Sequence, residues 1–196
     1  MDAPRTVLSR RPAARPGPAS LLDRVAAAFV AHPGASLAEL AAAAGVARTT
    51  LHKHYATRND VILAVGDHVI DQCGRAVHEA LAQAPADPIE RLRRVVTALV
   101  PMGARLAFLF RQPELDTHVA TANRQAAELD EPIIAVVRAA RAAGQLRSDQ
   151  PEWWTASAVY ALIYIAWEGV ERGALAPVDA PGLAMDTFLS GVGGRR

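Results

Sequence analysis

Disulfide chemistry is the first thing this sequence rules out: Cys73 is its sole cysteine, so no intrachain bridge can form, which suits a reducing cytoplasm. Aromatic residues are scarce, 5% of the 196 against 51% hydrophobic overall, and alanine supplies much of the apolar content. Alternating patterns never run beyond a few residues. Sheets draw on β-branched and aromatic runs, so packed helices are expected instead. Glycine-rich phosphate loops, G-x-S-x-G elbows and H-E-x-x-H motifs are all missing. The six histidines, His32, His52, His54, His68, His78 and His118, include no i, i+4 pair. His52 and His54 stand roughly 200° apart around a helix and cannot share a metal. No catalytic set, metal or cofactor is therefore expected. A charged-then-apolar leader is lacking, and the longest charge-free apolar stretch, about 155 to 167, is too short to span a bilayer. The expectation is a soluble cytoplasmic chain with no membrane partner.

Net charge is nearly absent too, at +1, but its placement is uneven. Residues 1 to 58 carry 8 Lys+Arg against 3 Asp+Glu, and the remainder 13 against 17, so the first part is +5 and the rest −4. A basic head on a mildly acidic body is the distribution of a nucleic-acid-binding head joined to a non-binding body.

Residues 36 to 55, SLAELAAAAGVARTTLHKHY, are where the local signals converge. Ser36 followed by Glu39 is a capping box, and Leu37, Leu40, Ala41 and Ala44 recur at helical spacing behind it. Gly45 supplies the left-handed turn out of that helix. Ala41, Gly45 and Leu51 follow A-x3-G-x5-L: a small residue at a close crossing, a turn glycine and an aliphatic anchor. With Leu51 inward, Arg48, Thr49, His52 and Lys53 fall on the other sides of the second helix. These are the donors, hydroxyls and cation that a DNA major groove takes, so the stretch reads as a helix-turn-helix.

The segment GVARTTLHKHYATR resembles the corresponding stretch of the tetracycline-repressor (TetR) family of transcription regulators, G-V-S-x-x-T-L-Y-x-H-F followed shortly by a lysine. Gly45, Val46, Thr50, Leu51 and His54 match, Tyr55 stands for the phenylalanine and Arg58 for the lysine. Ala47 replaces the serine, which removes a side-chain cap, and His52 replaces a tyrosine that touches the phosphate backbone in the family. The Gly-Gln-Leu-Arg at 144 to 147 also resembles the C-terminal half of many members.

The flanking chain organises around this motif. Residues 1 to 18 mix Pro4, Pro12, Pro16 and Pro18 with Arg5, Arg10, Arg11 and Arg15, the composition of a disordered basic arm that either follows phosphates or is merely solvated. Ser20 and Asp23 cap a first head helix that ends at His32, Pro33 and Gly34. Thr57 and Asp60 cap a long helix through Val61, Val65, Val69, Cys73, Val77 and Leu81, whose start lies beside the DNA contacts and whose far end enters the body. A helix from about 88 to 100 meets a break at residues 101 to 103. Met102, Arg105, Phe108 and Phe110 near that break are candidates for a pocket wall or for ordinary core. Residues 116 to 143 have helical pattern, interrupted at Glu131 and Pro132. In the helix from 151 to 173, Trp153, Tyr160, Tyr164 and Trp167 share one face, while Ala158, Leu162, Ile165 and Gly169 lie opposite. That helix is apolar nearly all round and must be covered on both sides. A last helix spans 181 to 192.

The resulting expectation is an all-α chain: a disordered arm (1–18), a three-helix helix-turn-helix head (19–58), and a helical effector-binding and dimerisation body (59–196). Arg48, Thr49 and Lys53 are the candidate base contacts, and Ser36, Thr50, His52, His54 and Arg58 the candidate phosphate contacts. His68, Met102, Arg105, Phe108, Phe110, Tyr164 and Trp167 are the candidate pocket residues. The resemblance implies a homodimer through the last two long helices, with Ala158, Leu162, Ile165, Gly169, Leu183 and Phe188 at the interface. It also implies double-stranded operator DNA as partner, a small hydrophobic effector that respaces the heads, and repression as the usual outcome. The competing reading, prompted by Ala47 and His52, is a helical small-molecule-binding or scaffold protein whose head no longer binds DNA.

Overall fold

The computed structural model describes residues 21–193. The expected basic arm and the Ser20 cap lie outside these residues. Eleven α-helices are found among the described residues, with no strand. They are α1 (Leu21–Ala31), α2 (Leu37–Ala43), α3 (Arg48–His54), α4 (Arg58–Ala82), α5 (Pro88–Leu99), α6 (Gly103–Phe110), α7 (Pro113–Thr117), α8 (Val119–Gln125), α9 (Glu131–Ala142), α10 (Glu152–Glu171) and α11 (Ala180–Val192). One isolated bridge pairs Leu146 with Gly193.

Helix α4 starts as its sequence dictates. Thr57 Oγ1 accepts from the Asp60 amide at 3.1 Å, and the Thr57 amide donates to Asp60 Oδ2 at 2.8 Å. The helix then runs for 25 residues and buries Val61, Ile62, Val65, Val69, Ile70, Cys73 and Val77. The expected division at residue 58 therefore falls on the first residue of α4, whose opening turns pack against α1. One continuous buried cluster joins Val25, Phe29, Leu40 and Leu51 of the first three helices to Leu92, Leu106, Phe108, Ile133 and Ile163 of the rest.

Two breaks shape the body. After α5 a 3-10 turn (Val100–Met102) holds Pro101, which has no N–H to continue a helix, and α6 begins at Gly103. A Cβ on Gly103 would collide with Cβ and Cγ of Trp167, so the missing side chain is what lets α6 lie on α10. Ahead of Pro132, residues Ala126–Asp130 widen into a single π turn before α9 resumes, which is the interruption expected at Glu131 and Pro132. Helix α10 buries Thr155, Ala156, Val159, Tyr160, Ile163 and Ala166, and packs most extensively with α11.

Gly103→Ala is expected to destabilise the chain by about 1–3 kcal/mol, because neither the α6 backbone nor the indole stem can yield cheaply. Thermal unfolding should show a midpoint lowered by roughly 3–10 °C; an unchanged midpoint would mean that α6 and α10 are not held this closely.

Candidate nucleic-acid interface and body cavity

The helix pair at the front of the molecule forms as its residues require. The Ser36 amide donates to Glu39 Oε2 at 2.7 Å and the Glu39 amide donates to Ser36 Oγ at 3.3 Å. That pairing holds the Glu39 carboxylate below its ordinary range. Gly45 takes φ +68°, which an L side chain adopts only with strain, and the chain turns there into α3. Arg24 Nε donates to the Ala44 carbonyl at 2.8 Å, fastening α1 to the end of α2. Ala47 at the start of α3 provides no side-chain cap, as its methyl group dictates.

Leu51 is fully buried and fixes the roll of α3. Arg48, Thr49, Thr50, His52, Lys53 and His54 are all exposed, and none makes a side-chain hydrogen bond or ion pair with the described residues. Six side chains with donors, two hydroxyls, two imidazoles and two cations, thus stand exposed on α3. Ser36 lies exposed at the start of α2, and its hydroxyl proton is left to donate because Oγ only accepts within the box.

Arg58 departs from its expected role. Its Nη2 donates to the Pro33 carbonyl at 2.7 Å, its Nε donates to the Ala35 carbonyl at 3.2 Å, and Nη1 lies 3.5 Å from Glu114 Oε1. The guanidinium also sits 5.0 Å above the Phe29 ring. With its donors directed inward, Arg58 clamps the loop between α1 and α2 to the start of α4 and is not presented to a phosphate.

The candidate pocket residues separate into three groups. Phe110 and Tyr164 line a cavity of about 480 Å³ between α6 and α10, together with Ala107, Arg111, Ser157, Tyr160 and Ala161. Arg111 donates to the Tyr164 hydroxyl and its guanidinium lies 5.5 Å from the Tyr164 ring centroid. Trp167 lines an adjoining hollow of about 420 Å³ that shares Arg111 and Tyr164 and reaches Ala27, Val30 and Ala31 of α1. On the other side, a hollow of about 250 Å³ shares Phe110, Ser157 and Tyr160 and is closed by Gln125, Asp130, Ile134, Trp153 and Ala156.

Phe108 is not a wall residue. It is fully buried, with its ring centroid 5.4 Å from that of Phe29, and joins α6 to α1. Met102 is half-buried against the core and lines none of these three hollows. His68 and Arg105 belong to a separate polar cluster between α1, α4 and α6. Arg105 Nε donates to Gln72 Oε1 at 2.6 Å, and its Nη2 donates to Asp23 Oδ1 at 3.2 Å. His68 Nε2 lies 3.3 Å from Asp23 Oδ1 and 3.0 Å from Gln72 Nε2. Cys73, buried nearby, has its thiol pushed up to about 12 by desolvation, slightly opposed by Arg105, so it is inert at neutral pH.

The sequence carried no signal for Arg111, Ser157 or Asp130 as cavity residues, because each depends on which helices face one another. Tyr160 was visible on the aromatic face of α10, and its alternation with Tyr164 was the available hint. Of the expected interface residues, Ile165 and Leu183 are well exposed, at 58% and 54%, and Ala158, Leu162 and Gly169 are half-buried. Phe188 is only 3% exposed and is spent on the chain's own core, so it offers no surface to a partner. Among the described residues no cluster of three or more His, Cys, Asp and Glu is arranged to hold a metal, and no helix is long and apolar enough to cross a membrane.

No family model matches the chain. It is 30% identical over 155 residues to the HTH-type transcriptional repressor LfrR of Mycolicibacterium smegmatis, covering 79% of each chain. It is 35% identical over 105 residues to the HTH-type transcriptional regulator NfxB of Pseudomonas aeruginosa, covering 50% of this chain and 54% of that relative. Its structure is similar to that of the TetR-like regulator LfrR from Mycobacterium smegmatis in complex with proflavine, with a TM-score of 0.71, 27% identity, and coverage of 87% and 93%. A TetR family regulator from Marinobacter aquaeolei shares the fold at a TM-score of 0.71 and 19% identity.

The Asp23 and Arg105 pair is expected to hold α1 against α6. Arg105→Met keeps the aliphatic stem and should cost about 1–2 kcal/mol, discounted for the partial exposure of the guanidinium. Urea unfolding of Arg105→Met, Asp23→Asn and the double variant should show a coupling on the order of 1 kcal/mol; strict additivity would show that the contact carries no energy.

Proposed function

This chain belongs to the TetR family of transcriptional regulators, and from that premise we propose that it is a cytoplasmic homodimeric repressor that binds a near-palindromic operator and is released by a small, largely hydrophobic effector. The observation that carries the reading is the outward surface of α3. Arg48, Thr49, His52 and Lys53 stand exposed around a buried Leu51, so their donors are free to meet a DNA groove on the helix that the motif marks as the reading helix. Arg48 is assigned to a guanine edge through its paired donors, with Thr49 and Lys53 beside it. Ser36, Thr50, His52 and His54 are assigned to phosphates, which set register without reading sequence.

Dimerisation is assigned to the exposed apolar stripe of α10 and α11. Trp154, Ala158, Ile165 and Leu183 lie there, and three of these four large or small apolar side chains are more than half exposed in the isolated chain. Reading successive major grooves requires two copies of α3 about 34 Å apart, the spacing that a two-fold dimer through this stripe is proposed to set. The effector is assigned to the hollow between α6 and α10. Its aromatic lining supports this, as does the similarity to LfrR, a regulator solved in complex with proflavine. Loosening DNA binding about 100-fold takes on the order of 2.7 kcal/mol of coupling, within the ordinary range.

Selection of binding sites from a random duplex pool should enrich a palindrome with the wild-type chain, at an affinity that falls steeply with salt. Arg48→Ala in parallel should relax one symmetric base pair by about 1–3 kcal/mol while the rest of the site persists. Enrichment of no sequence at any salt would sink the regulator reading and favour a scaffold.

A further inference from the structure

The 250 Å³ hollow beside the main cavity has a chemical character of its own. Asp130 ends the π turn before α9 and is half-buried in its wall. No basic side chain among the described residues forms an ion pair with it. Burial raises its pKa, opposed only by hydrogen bonding from the Tyr160 hydroxyl. A half-buried carboxylate without a counter-ion is compensated only in part, by the neutral Tyr160 hydroxyl beside it.

Tyr160 stands beside it. Its ring is only 7% exposed, and its buried hydroxyl faces the Asp130 carboxylate in imperfect hydrogen-bond geometry. Burial, followed by the neighbouring Asp130 charge, pushes this phenol well above its ordinary range. It therefore stays protonated, and its oxygen remains available to a guest. Aromatic walls surround the two polar groups. Phe110 meets Tyr160 edge-on, with centroids 5.6 Å apart and planes at 70°, and is itself 51% exposed. Trp153, 61% exposed, lines the same hollow.

The possible guests can be ranked by charge. An anion is repelled by Asp130. A neutral hydrocarbon gains contact with the rings but desolvates the carboxylate further and leaves it unpaired. A flat organic cation gains the same contact, pairs with the carboxylate and meets the negative faces of the rings. We propose that this end of the cavity is a site for lipophilic organic cations, with Asp130 as counter-ion, the Tyr160 oxygen as a polar anchor, and Phe110 and Trp153 as stacking walls. This rests on the effector reading of the cavity above and goes beyond it by assigning the charge of the ligand and the residue that selects it. The second charged group, Arg111, lies at the other end and is already engaged by Tyr164.

Three bicyclic probes of similar shape test the assignment by isothermal titration on the full chain: N-methylquinolinium, neutral 1-methylnaphthalene and anionic 1-naphthoate. The wild-type chain should bind the cation about tenfold or more tightly than the hydrocarbon, and the anion weakest. Asp130→Asn should weaken the cation by about tenfold and leave the hydrocarbon within about twofold. Equal cation binding by wild type and Asp130→Asn would overturn the proposal. So would hydrocarbon binding as tight as cation binding by wild type, or binding of none of the probes at about millimolar concentration. The wild-type ranking decides the matter even if Asp130→Asn fails to fold. Cation-selective binding that leaves operator affinity unchanged would uphold this site and overturn the effector reading instead.

Discussion

The packing of Phe29 on Phe108 is the contact on which the rest of the structure depends. Both rings are fully buried, and they join α1, the first helix of the DNA-reading unit, to α6 in the middle of the body. Truncating either ring would remove on the order of 3–5 kcal/mol of burial and packing from the core that the two parts share. Around it the chain adds direction to a contact that has none of its own. Arg58 spans the Phe29 ring and binds the carbonyls of Pro33 and Ala35, and Arg105 reaches Asp23 from α6. The hydrophobic contact supplies the free energy, and these hydrogen bonds fix the angle at which α1 meets the body.

That arrangement explains what could be read in the sequence and what could not. The capping boxes at Ser36 and Thr57, the φ-positive turn at Gly45 and the interruption near Pro132 are decided within four residues of chain, and each forms as its local chemistry requires. The roll of α3 was also legible, because one buried Leu51 in a seven-residue helix determines which side chains remain outside. The fate of the long polar side chains was not. Arg58 meets residues 23 and 25 positions earlier, His68 meets Asp23 across 45 positions, and Arg105 meets it across 82. A guanidinium near a helix start looks like a phosphate ligand until the loop carbonyls that occupy it are known. Phe188 misled for the related reason that an apolar helix has two apolar faces, and only the packing shows which one the chain keeps for itself.

Electrostatics within the head follow the same division between local and distant. Glu39 is consumed by its cap, Asp60 by its own, and Arg24 by the Ala44 carbonyl. The outward side chains of α3 are cationic or neutral because its sequence, RTTLHKH, holds no carboxylate. The missing hydroxyl at Ala47 costs a side-chain cap on α3, on the order of 1 kcal/mol by analogy with other caps. The Leu51 anchor and the Gly45 turn hold the helix in place regardless.

Helix α6 contacts α1 of the DNA-reading unit and also lines the proposed ligand cavity. Pro101 precedes it and Pro113 follows it, so its eight residues cannot merge with either neighbour. A helix of that length has little stability alone and is positioned wholly by what it touches. It packs on α1, α4 and α10: Phe108 lies in the core against α1, Arg105 engages Asp23 of α1 and Gln72 of α4, Gly103 lies on Trp167 of α10, and Phe110, with Arg111 just after the helix, lines the cavity. Phe108 and Phe110 are two residues apart, about 200° around the axis. A guest that displaces Phe110 must therefore push α6 toward or along α1, since close-packed interiors transmit displacement rather than absorb it. On the proposed reading, coupling between effector and operator requires no long pathway; it follows from placing the two contacts on opposite faces of one short, proline-bounded helix.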